Sequence, residues 1–129
     1  EFGYCRLSVA VPENLGMKSP AEIPDGCKVA YVKDNNLYYK NLAANSIHKI
    51  THDGAFNQII NGAPDWIYEE EFGFSRAFHW SPNSKEIAFY HFDESKVRQF
   101  DMVMYGEVFP SLQSFKYPKA GECNSSVSI

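Results

Sequence analysis

The stretch "PDGCKVAYVKDNNLYYKNL", residues 24 to 42, decides the fold. "PDG" (24–26) is a turn signal, because Pro presets one backbone angle and Gly admits the left-handed region. "CKVAYVK" (27–33) is rich in β-branched and aromatic residues, which suit a pleated, half-buried surface. "DNN" (34–36) tolerates positive φ, and "LYYKNL" (37–42) is a second run of the same kind. Length and turn chemistry predict a β-hairpin. "SIHKIT" (46–51) alternates and predicts a third strand, closed by "HDG" (52–54). Upstream, "CRLSVAV" (5–11) reads as a short strand. "PENLGMKSPAEIP" (12–24), with three prolines and a glycine, reads as loop.

The pattern then recurs. "PNSKEIAFYHF" (82–92) lies over "PDGCKVAYVKD" (24–34) at a shift of 58 residues. Pro24 matches Pro82, Val29 matches Ile87, Ala30 matches Ala88 and Tyr31 matches Phe89. "FSRAFHWS" (74–81) predicts the strand before the second turn and "VRQFDMVMYG" (97–106) the strand after it. Multi-strand repeats of about 40 to 60 residues point to propeller blades. The predicted fold is therefore all-β, a β-propeller fragment of about two blades with four-stranded antiparallel sheets and a short helical or loop insertion carrying the glutamate run at 69–71. Residues 1–23 stay unassigned and 24–129 form the partial propeller. A ring takes about four to eight blades, so these strands leave open edges that seek partners.

The chain has 129 residues and 44% hydrophobic content, enough for a real core. A net charge of −4 gives no basic footprint, so nucleic acid is not an expected partner. No apolar run is long enough to span a membrane as a helix, and no signal peptide is visible. The first residue is Glu rather than Met, so the chain reads as a piece of something longer or as a processed product. Cys5, Cys27 and Cys123 are an odd number with no metal spacing; they read as unpaired small side chains and do not settle the compartment.

Most catalytic patterns are missing. No G-x-S-x-G elbow occurs, and "GFSRA" (73–77) lacks the second glycine. "NGAPD" (61–65) has one glycine and no lysine, so it is a turn rather than a phosphate loop. His48 and His52 would sit about 13 Å apart on a strand, too far to share an ion. His79 and His91 read as packed or hydrogen-bonded strand residues. No catalytic residue, metal ligand or cofactor is assigned.

One stretch resists a bland reading. "DWIYEEEFGF" (65–74) sets Glu69, Glu70 and Glu71 side by side between Trp66, Tyr68, Phe72 and Phe74. Three adjacent carboxylates repel one another unless a cation arrives. An ammonium group offers three donors and suits two charged acceptors. Aromatic flanks would lower the local dielectric and strengthen such a pair. On a helix, neighbours point about 100° apart, so at most two of the three share a ligand. A solvated acidic loop and a calcium-holding loop remain open at this point.

Residues 50–95, "ITHDGAFNQIINGAPDWIYEEEFGFSRAFHWSPNSKEIAFYHFDES", with "YPKAG" at 117–121, resemble the propeller of the dipeptidyl peptidase IV family, bacterial branch. The resemblance runs from about Val29 to Ile129 and leaves residues 1–23 unmatched. It implies a parent serine exopeptidase with an α/β-hydrolase domain, which removes X-Pro or X-Ala dipeptides from a free peptide N-terminus. It implies that Glu70 and Glu71 bind the substrate's α-ammonium, that Glu69 is a neighbouring acid without that contact, and that Trp66, Tyr68 and Phe72 position the segment. It also implies a homodimeric parent in the periplasm or secreted. The family's triad lies outside this chain, which alone is expected to hydrolyse nothing. Arg6 does not match the surroundings of the family's propeller arginine. The alternative is a non-catalytic propeller module for protein binding.

Overall fold

The computed structural model of the chain describes residues 18–22, 26–106 and 108–129. Their elements run β1 (Lys18–Glu22), β2 (Lys28–Lys33), β3 (Asn36–Asn41), β4 (Ser46–Lys49), β5 (Ile59–Asn61), α1 (Trp66–Phe72), β6 (Phe78–Trp80), β7 (Ile87–Phe89), β8 (His91–Asp93), β9 (Gln99–Met104), β10 (Ser111–Lys116) and β11 (Ser126–Ser128). All pairings are antiparallel. The sheets are open: β1-β2-β3-β4, β11-β8-β5, β6-β7 and β9-β10.

The predicted hairpin is present. Asp34 and Asn35 take φ of 48° and 58°, and Lys33 pairs with Asn36 across them. Two successive left-handed residues match the twist of the flanking strands, which is why Asp and Asn stand there. Beside this turn Gly54 is obligatory: a Cβ there would lie 2.2 Å from the Asn35 carbonyl oxygen. The Gly54 N–H instead donates to Asn36 Oδ1 at 3.0 Å, while Thr51 Oγ1 donates to the same oxygen and accepts from the Leu37 N–H.

Four expectations change. The Pro-rich segment read as loop contains β1, an edge strand whose register shifts between Lys18 and Ala21. Pro20 lacks an N–H and is tolerated at that irregularity on an edge. "FSRAFHWS" gives only three strand residues, Phe78–Trp80. The second copy of the repeat keeps its turn and its pairing with the preceding strand, but Ala88 is exposed where Ala30 is fully buried. The chain then turns into β8 between β5 and β11, and β9 pairs with β10 away from β7. "CRLSVAV", with Cys5 and Arg6, lies outside the described residues.

The core sits between the four-stranded sheet and the β5–β7 region. Ala30, Val32 and Leu37 meet Ala63 and Phe78, with Tyr39, Ile60, Trp80 and Phe89 packed around them. A polar seam joins the same two regions. Asn61, 1% exposed, donates from Nδ2 to Asp53 Oδ1 at 2.8 Å and from its backbone to Asn35 O at 3.0 Å. Its Oδ1 therefore faces His91 Nδ1, at 2.8 Å, and that ring nitrogen must carry the proton. Replacing Asn61 by Ala keeps the backbone bond but removes the acceptor facing His91 Nδ1 and the Nδ2 donor to Asp53 and to the Asn35 carbonyl. The expected loss is about 2 to 3 kcal/mol in denaturant unfolding of the intact protein; a loss under 0.5 kcal/mol would show the seam to be idle.

The β9–β10 hairpin stands apart. Every residue of β9 is exposed, as are Tyr105, Val108, Phe109 and Leu112 at 82%, 93%, 83% and 69%. With this arm uncovered and the sheets open, the isolated 129-residue chain is expected to self-associate at tens of micromolar. Sedimentation of a clean monomer at that concentration would contradict this.

Candidate functional site around helix α1

The chain leaves β5 through Asn61 and Gly62. Gly62 has φ 76°, and a Cβ there would press on Leu37 and Val32 at 3.1 Å. Its N–H donates to Tyr90 O, and its carbonyl accepts from the Ala77 N–H. The loop that carries α1 is thus pinched shut at its base. Pro64 precedes Asp65, whose extended backbone (φ −72°, ψ 174°) makes it the helix N-cap. Asp65 Oδ1 accepts from the Tyr68 N–H at 2.9 Å. Gly73, left-handed at φ 65°, ends the helix by donating its N–H to Glu69 O at 3.0 Å.

Seven residues are too few for a helix to hold itself in water. Side chains on neighbouring elements hold it instead. The Trp66 ring packs edge-on to Tyr117 at 4.8 Å and tilted to Phe115 at 6.0 Å. The Tyr68 ring lies edge-on to Phe92 at 5.0 Å and near Phe74. Phe72, 66% exposed, touches Tyr68. Trp66 and Tyr68 are therefore fastenings, whereas Glu69, Glu70 and Glu71 are all exposed. The expectation that aromatic flanks lower the dielectric around the carboxylates is corrected here. The helical period turns Trp66 towards β10 and Tyr68 towards β8, while Phe72 is left 66% exposed.

Glu70 and Glu71 also stand in the last helical turn, which holds no basic residue. Negative charge there opposes the helix dipole by a few tenths of a kcal/mol. The run therefore adds nothing to the helix's own stability. Among the described residues no cluster of three or more acidic, His or Cys side chains could hold a metal ion. His48 bonds Ser46 and stacks on Tyr39, and His79 is exposed. Cys27 and Cys123 are exposed as well.

Three residues that the sequence reading gave no role complete the site. Asp65 is 4% exposed, and its Oδ2 accepts from Ser125 Oγ at 2.5 Å. Beside it lies Glu94, 6% exposed. Burial first, and the Asp65 carboxylate second, push the Glu94 pKa up to about 6, with Lys116 offsetting part. A capping signal was present for Asp65, since Asp before an apolar-periodic run marks a helix start. Nothing local marks Ser125, sixty residues on.

The Glu94 shift fixes a pH dependence. The folded chain keeps a proton that the unfolded chain, near the ordinary value of 4.5, has lost. Stability from this group falls as pH rises from about 4.5 to about 6 and stays lost above that. Glu94→Gln should stabilise by about 1 to 2 kcal/mol at pH 8 and by little near pH 4. Melting of the intact protein across that range checks it; a gain independent of pH would contradict it.

Residues 13–129 match the family model "Dipeptidyl peptidase IV (DPP IV) N-terminal region". Dipeptidyl aminopeptidase B of Saccharomyces cerevisiae is 40% identical over 112 residues, covering 82% of this chain and 14% of that protein. Prolyl endopeptidase FAP of Homo sapiens is 41% identical over 108 residues, with the same coverage. The crystal structure of Porphyromonas gingivalis dipeptidyl peptidase 4 is similar at TM-score 0.83 and 42% identity, covering 90% of this chain and 17% of that one. The chain thus spans 14% to 17% of the length of these relatives. Identities this close across yeast, human and bacterial proteins do not single out a bacterial branch.

Proposed function

This chain belongs to the dipeptidyl peptidase IV N-terminal-region family, its open sheets are part of that family's β-propeller, and from that premise we propose that it is the substrate-recognition part of a serine exopeptidase. The parent releases X-Pro or X-Ala dipeptides, and Glu70 and Glu71 receive the substrate's α-ammonium. The observation that carries the reading is the helix itself: two adjacent exposed carboxylates on a short helix fastened by a cap and by rings. A carboxylate pair at a fixed distance from a nucleophile acts as a ruler. It accepts chains whose amine ends there, and a longer chain leaves the pair without its partner. Hydrolysis itself needs the α/β-hydrolase domain of the parent chain, so this chain alone is not catalytic. A second copy of the parent as partner, and a periplasmic or secreted setting, belong to the same proposal.

The exposed β9–β10 hairpin favours a second reading, a non-catalytic propeller module for protein binding. The relatives' names also divide between dipeptidyl aminopeptidase and prolyl endopeptidase, so the free-amine requirement is the property to test.

In the full-length parent, Glu70→Gln and Glu71→Gln, singly and together, should lower kcat/KM for an Ala-Pro amide by roughly 30-fold or more. The N-acetylated amide should be a poor substrate for the wild type and no poorer for the variants. Normal cleavage by the variants, or a parent without this activity, would leave the binding-module reading in place.

A further inference from the structure

We infer that Ser125 is a positioning residue for the glutamate pair, acting through Asp65, an inference that rests on the ammonium-binding reading above. Helix α1 needs a fixed direction as well as a fixed place. Its aromatic contacts, Trp66 on Tyr117 and Phe115 and Tyr68 on Phe92, supply area but tolerate sliding and tilting. A hydrogen bond is narrower in both distance and angle. Within the helix segment, Tyr68 N–H to Asp65, Glu69 N–H to Asp65 O and Gly73 N–H to Glu69 O all begin and end on the segment itself. They shape the helix and say nothing about where it points. Among the described residues, the bond from Ser125 Oγ to Asp65 Oδ2 is the one that leaves the segment.

Its far end is well anchored. Ser125 leads directly into β11, whose Ser126, Val127 and Ser128 pair with Asp93, Phe92 and His91 of β8. On the other side of β8, Ile59, Ile60 and Asn61 of β5 pair with the same three residues. The helix leaves from β5, so the Ser125 bond ties its cap to both outer strands of one sheet. Asp65 at 4% exposure is shielded from water that could replace the tie.

The lever is long enough to matter. Glu70 and Glu71 lie about 8 to 9 Å beyond the cap at the helical rise. A tilt of about 10° moves them by about 1.5 Å, while a misplacement of about 1 Å can cost on the order of 100-fold in rate.

The test is a double-mutant cycle in the full-length parent. Ser125→Ala keeps the bond within the cap and removes the tie. It should raise KM for an Ala-Pro amide and lower kcat/KM by about tenfold, with the melting temperature lowered by no more than a few degrees for the one buried hydrogen bond lost. Ser125→Thr, which keeps the hydroxyl, should restore most of the loss. In the Glu70→Gln/Glu71→Gln background, Ser125→Ala should add almost nothing, because a residue that acts through the pair has nothing left to position. Full multiplicative loss in that background, or wild-type kinetics for Ser125→Ala, overturns the inference while leaving the ammonium site intact. If the glutamate variants themselves cleave normally, the ammonium reading fails and the positioning role falls with it.

Discussion

A seven-residue helix cannot stabilise itself, and most of the site follows from that constraint. Its cap, its two large rings and the pinched loop at Gly62 are all devices that borrow rigidity from strands. The rings bind it to β8 and to the end of β10, the cap to the segment before β11, and Gly62 to the turns at Tyr90 and Ala77. What remains outside carries the carboxylates, with Phe72 next to them. A longer, self-sufficient helix would need a buried stripe of its own, whereas here no helical residue is fully buried. The short helix is thus a mount rather than a core element.

The acid cluster beneath the helix has a cost that the exposed run does not. Asp65 and Glu94 are both nearly buried and repel one another, with Lys116 as partial compensation. Lys116 spends a donor on Val97 O at 2.8 Å, so it bridges the turn after β8 to the end of β10 while lying near the acids. Glu94 answers by holding its proton more tightly, and Asp65 keeps two donors, Tyr68 N–H and Ser125 Oγ. Two acids in one place end with unequal environments, one hydrogen-bonded and one proton-retaining.

How much of this was legible depended on the range of the interaction. The β2–β3 hairpin was readable because Asp34 and Asn35 encode its turn locally. The repeat gave the right class of fold and the strand within 97–106, but not the intervening β8 or the pairing of β9 with β10, because those are decided by tertiary contacts that no turn residue encodes. Pro20 misled in the other direction, since prolines mark loops on average but sit without penalty on an irregular edge. At the site, Glu70 and Glu71 were found as a motif. Their exposure was one of the readings left open, and the sequence could not choose it, because a list of neighbours in sequence hides the direction in which a helix sends each one. Ser125 was beyond reach for the same reason that it matters: it meets Asp65 only once β5, β8 and β11 are assembled.

The exposure of the glutamates changes what the proposed contact requires. Two unit charges about 4 Å apart attract by about 1 kcal/mol in water and by about 4 kcal/mol near a protein surface of lower effective dielectric. With Glu70 and Glu71 facing solvent, the pair by itself is a weak reader of amines. Discrimination between a free and a blocked N-terminus then depends on what covers the face when substrate is bound. Trp66 and Tyr68 are committed to holding the helix from behind, and Phe72, itself 66% exposed, is one ring beside two charges, so most of the cover comes from beyond this face. On the proposed reading, the propeller supplies position and charge, and the domain that closes over it supplies the exclusion of water that makes the charge selective.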